Sequence, residues 1–284
     1  MPANVGVIGL GVLGRPVAER LIEQGFTVAV FDVREEPVAA LEAAGATACY
    51  SPAEVAAKSD FILTLVSDRA QTEEVILAPD GVLAMLKEEA VVIVGSTLAP
   101  AVVQELGGAI ASRGGETLDA PISGGYLAAR DGTLSMMIGG RKAVLDRAMP
   151  VLQSIANRIT RAGGVGTGQA AKLAHQLVFS VNVMALLEGL ALGAAAGVEP
   201  AVLKAILKDG IAGSTVLNLW DDLGPRWKDM LKSTDPAAAL PNMRKDLHLV
   251  LELARELGVP LYLGTQASLI ADTGVATGHD KPEL

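Results

Sequence analysis

The stretch 5-VGVIGLGVLGRPVAERLI-22 constrains this chain more than any other. An apolar, largely β-branched run breaks on a glycine, two more glycines follow at intervals of two and three, and a helix-like stretch begins at once. A run this apolar suits a strand covered on both faces, and such strands pair in parallel through helical crossovers. The pattern repeats. Apolar runs at 4-NVGVIG-9, 27-TVAVFD-32, 61-FILTLV-66 and 90-AVVIVG-95 predict strands, and later ones are expected at 116-ETLDAPI-122, 134-LSMMIG-139 and 157-NRITRA-162. Between the early runs, 15-RPVAERLIEQG-25 and 35-EEPVAALEAAG-45 read as helices that stop on glycine. Strand and helix in alternation predict an α/β fold: an N-terminal, Rossmann-type doubly wound parallel sheet.

After 163-GGVGTG-168 the strand signal ends, and the chain reads as helix after helix, punctuated at 197-GVEP-200, 209-DGIAG-213 and 234-TDPAAALP-241. The expected organisation is a dinucleotide-binding type of domain over residues 1–164. An all-helical domain over 165–284 follows, opening with a long interdomain helix.

Composition narrows the function classes. Half of the 284 residues are hydrophobic and only 3% aromatic, so the core should be Ala, Val and Leu. A net charge of −9 argues against a nucleic-acid face, which needs clustered Lys and Arg, and against an acidic membrane surface. The single cysteine, Cys49, allows no internal disulfide, and His175, His248 and His279 lack ligand spacing, so no metal site is expected. The first residues enter a strand without signal-peptide features, and a reducing, cytoplasmic setting is expected. The run 177-LVFSVNVMALLEGLALGAAAGV-198 has the length of a membrane span, but it carries Asn182 and Glu188. A carboxylate near the bilayer centre costs on the order of 2–3 kcal/mol. A helix buried in protein on most sides is expected instead, with a partner subunit covering what the chain does not: a homodimer or higher homo-oligomer.

Gly9, Gly11 and Gly14 stand in G-x-G-x-x-G spacing, with Leu10, Val12 and Leu13 between them. The spacing meets specific demands: a sharp turn, close approach of backbone to a pyrophosphate, and close packing of helix on strand. The second run ends in Asp32, 18 residues beyond Gly14, where an acidic side chain meets ribose hydroxyls. NAD is therefore expected, with NADP possible because Arg34 stands near; a ligand-free glycine turn is the plain alternative.

The stretch 119-DAPISGGYLAARDGTLSMMIGG-140 sets Ser123-Gly124-Gly125 inside an apolar run and opens the backbone there, without saying what it admits. In 166-GTGQAAKLAHQ-176, Lys172, His175 and Gln176 fall at i, i+3 and i+4 and share one helix face. A neighbouring imidazolium and partial burial would both lower a lysine pKa toward the range useful for proton transfer. From spacing alone, a solvated lysine beside a core histidine remains the open alternative.

Four blocks in order, 9-GLGVLG-14, 119–140, 166–176 and 245-KDLHLVLELARELGVP-260, resemble the β-hydroxyacid dehydrogenase family, the 3-hydroxyisobutyrate dehydrogenase and tartronate semialdehyde reductase type. The resemblance implies a hydride-transferring dehydrogenase of small β-hydroxy carboxylates. It implies that Ser123, Gly124 and Gly125 hold the substrate, and that Lys172 exchanges the hydroxyl proton beside His175 and Gln176. It further implies that Val66, Ser67, Thr97 and Lys245 meet the cofactor. The chain departs from the family where two Asn commonly follow the lysine and it has His175 and Gln176; 220-WDDLGPRWKDMLKSTDPAAALPN-242, with Trp220 and Trp227, and the tail from Asp272 depart too. Two other readings stand beside it. An imine reductase would replace the lysine that is present here, and a non-catalytic NAD(P)-binding interaction module would not need it.

Overall fold

The computed structural model describes residues 3–218 and 239–278. Trp220, Trp227, His279 and the turn at 234–238 lie outside the described residues. Contacts divide the chain into two units, Met1–Lys172 and Leu173–Leu284.

The first unit is built on one nine-stranded sheet. Its elements are β1 (Asn4–Ile8), α1 (Gly14–Glu23), β2 (Thr27–Phe31), α2 (Glu35–Ala43), β3 (Thr47–Ala48), α3 (Pro52–Lys58), β4 (Phe61–Thr64), α4 (Arg69–Leu77), β5 (Val91–Val94), α5 (Pro100–Ala111) and β6 (Glu116–Asp119). Then come β7 (Ile122–Ser123), α6 (Gly125–Asp131), β8 (Leu134–Gly139), α7 (Lys142–Ile155), β9 (Ala156–Gly163) and the start of α8 (Thr167–Ala195). The strand order is β3-β2-β1-β4-β5-β6-β8-β7, with β9 paired to β8. All pairs from β3 to β6 are parallel. The chain winds one way from β1 through β3 and then crosses to β4 on the other side, so β1 and β4 flank the switch point where such sheets bind ligands.

The continuous apolar runs are explained by two cores, one on each face. Val5, Val7, Val28, Val30, Leu63, Val91 and Ile93 pack with Val17 and Leu21 of α1 and with α7 on one side. Ile8, Ala29, Ile62, Val92 and Val94 pack with α3 and α5 on the other. Alternate residues of each strand serve alternate cores, as the period of two requires.

Three details of the sheet were not read from the sequence. The sheet is not wholly parallel: β8 runs antiparallel to both β6 and β7. The run expected as one strand over 116–122 breaks at Ala120-Pro121 into β6 and β7, because proline has no N–H to give a ladder. The two-residue β3 carries no readable pattern.

The second unit contains the rest of α8, α9 (Pro200–Asp209), α10 (Ala239–Leu257) and α11 (Tyr262–Ala276). Its core is small: Leu247, Ala267 and Ala271, with Val181, Met184, Leu240 and Met243 against it. Close approach relies on glycine, since a Cβ on Gly264 would lie 2.8 Å from the Leu177 side chain. Helix α8 is long and apolar enough to cross a membrane by length and composition, yet only 6% of its most apolar stretch is buried. Among the described residues the expected cover on most sides is not seen; Leu192 is 73% exposed.

Candidate active site

The parallel strands of the first unit bring their C-terminal ends to one edge, and the loops that leave this edge carry most of the residues singled out by sequence. Gly9 leaves β1 at φ +88°, where a side chain would be strained, and a Cβ there would meet the Leu65 carbonyl oxygen at 2.7 Å. Gly14 has no room at all, with the Gly9 carbonyl oxygen 1.7 Å from a built Cβ. Gly11 differs: a Cβ would meet nothing within 4 Å, so the space over this turn is open to a ligand. Leu10, Val12 and Leu13 complete the turn. Helix α1 starts on Leu13 with no side-chain cap and no acidic residue in its first turn, which leaves its dipole uncompensated for an anion. The residues fit the pyrophosphate of a dinucleotide.

Asp32, one residue past β2, is held from two directions. Its Oδ2 accepts the Leu10 amide at 2.6 Å, and its Oδ1 accepts the Arg34 amide at 2.9 Å and the Arg34 Nε at 3.0 Å. Burial pushes the Asp32 carboxyl up, but the Arg34 and Leu10 donors outweigh it and hold the group below its ordinary value. Arg34 also donates to the Leu10 carbonyl at 3.2 Å. Asp32 is thus ionised and oriented beside the glycine turn.

Past β4, Val66 and Ser67 are tied down by neighbours. The Ser96 hydroxyl donates to the Val66 carbonyl at 2.7 Å, and the Ser67 amide donates to Gln71 at 3.0 Å. Past β5, half-buried Thr97 sits between buried Ser96 and Leu98. Ser123 ends β7, and Gly124 and Gly125 follow, exposed and at φ +131° and +70°. Only glycine adopts such angles without strain, which keeps the two amides clear of side chains.

Lys172 lies on α8 and is 5% exposed. Two residues that sequence reasoning passed over fix the start of this helix. Asp119, fully buried at the end of β6, accepts the Gly166 amide on Oδ1 and the Gln169 amide on Oδ2, each at 2.8 Å. Burial pushes its carboxyl above the ordinary value, with the amides of Gly166, Gln169 and Gly168 opposing. Gln169, also fully buried, accepts the Leu98 amide at 2.9 Å and donates to the Ser96 carbonyl at 2.8 Å. The G-x-G of 166-GTGQ-169 was the available signal. A Cβ on Gly168 would lie 2.4 Å from the Met137 carbonyl oxygen and 2.7 Å from Asp119, so only glycine lets the helix come this close.

In the second unit, His175, Gln176 and Lys245 meet through Asp246, a residue not singled out although it stands inside the KDL block. Gln176 donates to Asp246 Oδ2 at 2.7 Å, its oxygen faces His175 Nδ1 at 3.1 Å, and the Lys245 ammonium lies 3.1 Å from Asp246 Oδ1. His175 is exposed and Gln176 half-buried. Lys245 lines a surface cleft with Arg244, His248 and Glu252. Among the described residues no cluster of His, Cys, Asp and Glu could hold a metal ion.

Known proteins are similar to this chain over nearly its whole length. Residues 4–164 match the family described as the NAD binding domain of 6-phosphogluconate dehydrogenase. Residues 166–283 match the one described as NAD-binding of NADP-dependent 3-hydroxyisobutyrate dehydrogenase. The 2-(hydroxymethyl)glutarate dehydrogenase of Eubacterium barkeri is 34% identical, covering 99% of this chain and 92% of the relative. The 2-hydroxy-3-oxopropionate reductase of Escherichia coli (strain K12) is 34% identical over 97% of this chain and 92% of its own. The crystal structure of a 3-hydroxyisobutyrate dehydrogenase from Salmonella typhimurium superposes with a TM-score of 0.83 at 30% identity, covering 97% of this chain and 95% of that one. With similarity running through both halves, the chain belongs to the β-hydroxyacid dehydrogenase family, whose members are NAD(P)-dependent oxidoreductases.

Proposed function

We propose that this protein interconverts a small β-hydroxy carboxylate and its carbonyl form, with Lys172 exchanging the hydroxyl proton. The observation that carries the reading is the buried lysine on a helix whose start is hydrogen-bonded to the turn past β5 and to the end of β6, the edge where the glycine turn also lies. The relatives are named for 2-(hydroxymethyl)glutarate, 2-hydroxy-3-oxopropionate and 3-hydroxyisobutyrate, all small hydroxy or oxo acids, which supports the substrate class.

A bound nicotinamide dinucleotide supplies or accepts the hydride. The turn from Gly9 to Gly14 would hold its pyrophosphate, Asp32 its adenosine ribose, and Val66, Ser67 and Thr97 its nicotinamide half, with Lys245 assigned to the same cofactor. Asp32 accepts hydrogen bonds from a free diol and repels a 2′-phosphate, so NAD is preferred over NADP. The Ser123 hydroxyl and the Gly124 and Gly125 amides would bind the substrate carboxylate and hydroxyl. Lys172 takes the hydroxyl proton on oxidation and returns it on reduction. His175, held by Gln176, would orient the same hydroxyl. The chain acts as a homo-oligomer in the cytoplasm.

Replacing Lys172 with alanine should leave NADH binding intact and lower turnover by about 10²–10⁴-fold, the usual worth of positioned acid–base help. The measurement is NAD reduction across a panel of short β-hydroxy acids, 3-hydroxyisobutyrate and 2-(hydroxymethyl)glutarate included. Full activity in the variant would remove the lysine from the mechanism.

A further inference from the structure

Gln169 takes no part in the mechanism above, yet it is fully buried and both its side-chain oxygen and its side-chain nitrogen bond to main chain. Its oxygen takes the Leu98 amide at 2.9 Å, its nitrogen serves the Ser96 carbonyl at 2.8 Å, and these two groups flank Thr97 on either side. The amide occupies the place a neighbouring strand would take, and braces the turn past β5 from both ends. The same residue's backbone N–H is fixed on Asp119 Oδ2 at 2.8 Å, and Ser96 extends the chain of bonds to the Val66 carbonyl at 2.7 Å. Lys172 follows three residues later, one turn along the same face of α8. Only a side chain with both a donor and an acceptor at one end can serve an N–H and a C=O together, and a carboxylate or a thioether cannot.

We propose that Gln169 is a positioning residue for the proposed reaction: it locks the turn that carries Thr97 to the helix turn that carries Lys172, so that the proton-exchanging amine and the cofactor side of the site keep one register. The proposal rests on the reading of Lys172 and Thr97 given above. Misplacement of reacting groups by a fraction of an ångström to an ångström lowers turnover without weakening remote binding. Loss of Gln169 therefore acts on kcat, while the affinity for NADH, set by the glycine turn and Asp32, stays.

The test uses the full chain with Gln169→Met, of similar shape without the paired bonds, and Gln169→Glu, which keeps the acceptor for Leu98 but sets an oxygen against the Ser96 carbonyl. NADH binding is titrated to give the stoichiometry of competent sites. The pH profiles of kcat and KM are then measured with the β-hydroxy acid that the wild-type chain oxidises best. The expected result is full NADH stoichiometry with a Kd close to wild type, kcat per competent site lower by about tenfold to a hundredfold, and the Lys172-controlled limb of the kcat profile displaced. A purely structural residue would reduce the number of competent sites and leave that limb where it was, and this result overturns the proposal, as does an unchanged kcat per site. If Gln169→Met does not fold, the same readings on Gln169→Glu decide. Absence of turnover in the wild-type chain, or full activity of Lys172→Ala, would instead strike the functional reading on which the proposal stands, and the two failures are told apart by which variant fails.

Discussion

At Asp32 the carboxylate is shared between the Leu10 amide and the Arg34 side chain, and under the proposed role of Asp32 at the ribose the pairing bears on cofactor choice. Asp32 is 8% exposed and Arg34 59%, so the acid is the fixed partner and the guanidinium the movable one. Replacing Asp32 with alanine removes the charge that repels a 2′-phosphate and frees a cation able to bind it. The ratio of kcat/KM for NAD over NADP should fall by about tenfold or more, the worth of one charge-assisted hydrogen bond. Steady-state rates with both cofactors check this, and an unchanged ratio would remove Asp32 from the selection. The three glycines beside it were legible as a motif by their spacing. So was a separate demand on each, and the backbone agrees with it: Gly9 turns at a positive φ, Gly14 has no room for a side chain, and Gly11 borders open space.

Asp119 works between elements. Strand β6 ends where helix α8 begins, and the carboxylate meets the unpaired amides of the helix's first turn. This is a cap supplied from 47 residues away rather than from the helix's own flank. Its pKa is raised by burial, so the sign runs against the usual carboxylate case. Between its ordinary value and its raised folded value, the folded state binds more proton than the unfolded one, and stability falls as pH rises through that interval. In Asp119→Asn this part of the slope should vanish, while the variant is less stable overall at neutral pH because one amide acceptor is lost. Urea midpoints measured across the acidic range for both proteins test it; identical slopes would place the titration elsewhere. The apolar runs announced β1, β2, β4 and β5 to within a residue or two at their ends, because each is buried on both faces. They did not announce the reversal at β8, which is set by the break at Pro121 and the short connection through α6.

For the whole molecule, the feature that bears on assembly is the apolar surface of the second unit's described residues. Val178 is 59% exposed, Leu187 43% and Leu192 73% along α8, and Val202 and Ile206 of α9 and Leu263 and Leu269 of α11 are more than half exposed. A monomer rarely leaves so much apolar surface to water, and a second copy is the simplest cover. Light scattering should therefore give a mass of at least two chains. Leu192→Glu, at a side chain 73% exposed, should shift that mass toward one chain; a wild-type monomer would overturn the proposal. The sequence reading expected protein to cover this helix, partly from a partner subunit, and composition does not say what share of the cover the chain itself supplies.

What the sequence determined by itself is whatever depends on neighbours along the chain. The strands covered on both faces, the glycine turn and the helices that stop on glycine follow from local sterics and periodicity. The resemblance then supplied roles for Ser123, Lys172 and Lys245. Tertiary structure alone decided which distant groups satisfy each other: Asp119 with the start of α8, Gln169 with Ser96 and Leu98 some 70 residues away, and Asp246 with Gln176. A buried polar group must find a partner, but no periodicity says where along the chain that partner lies, and only the closed fold brings the two together.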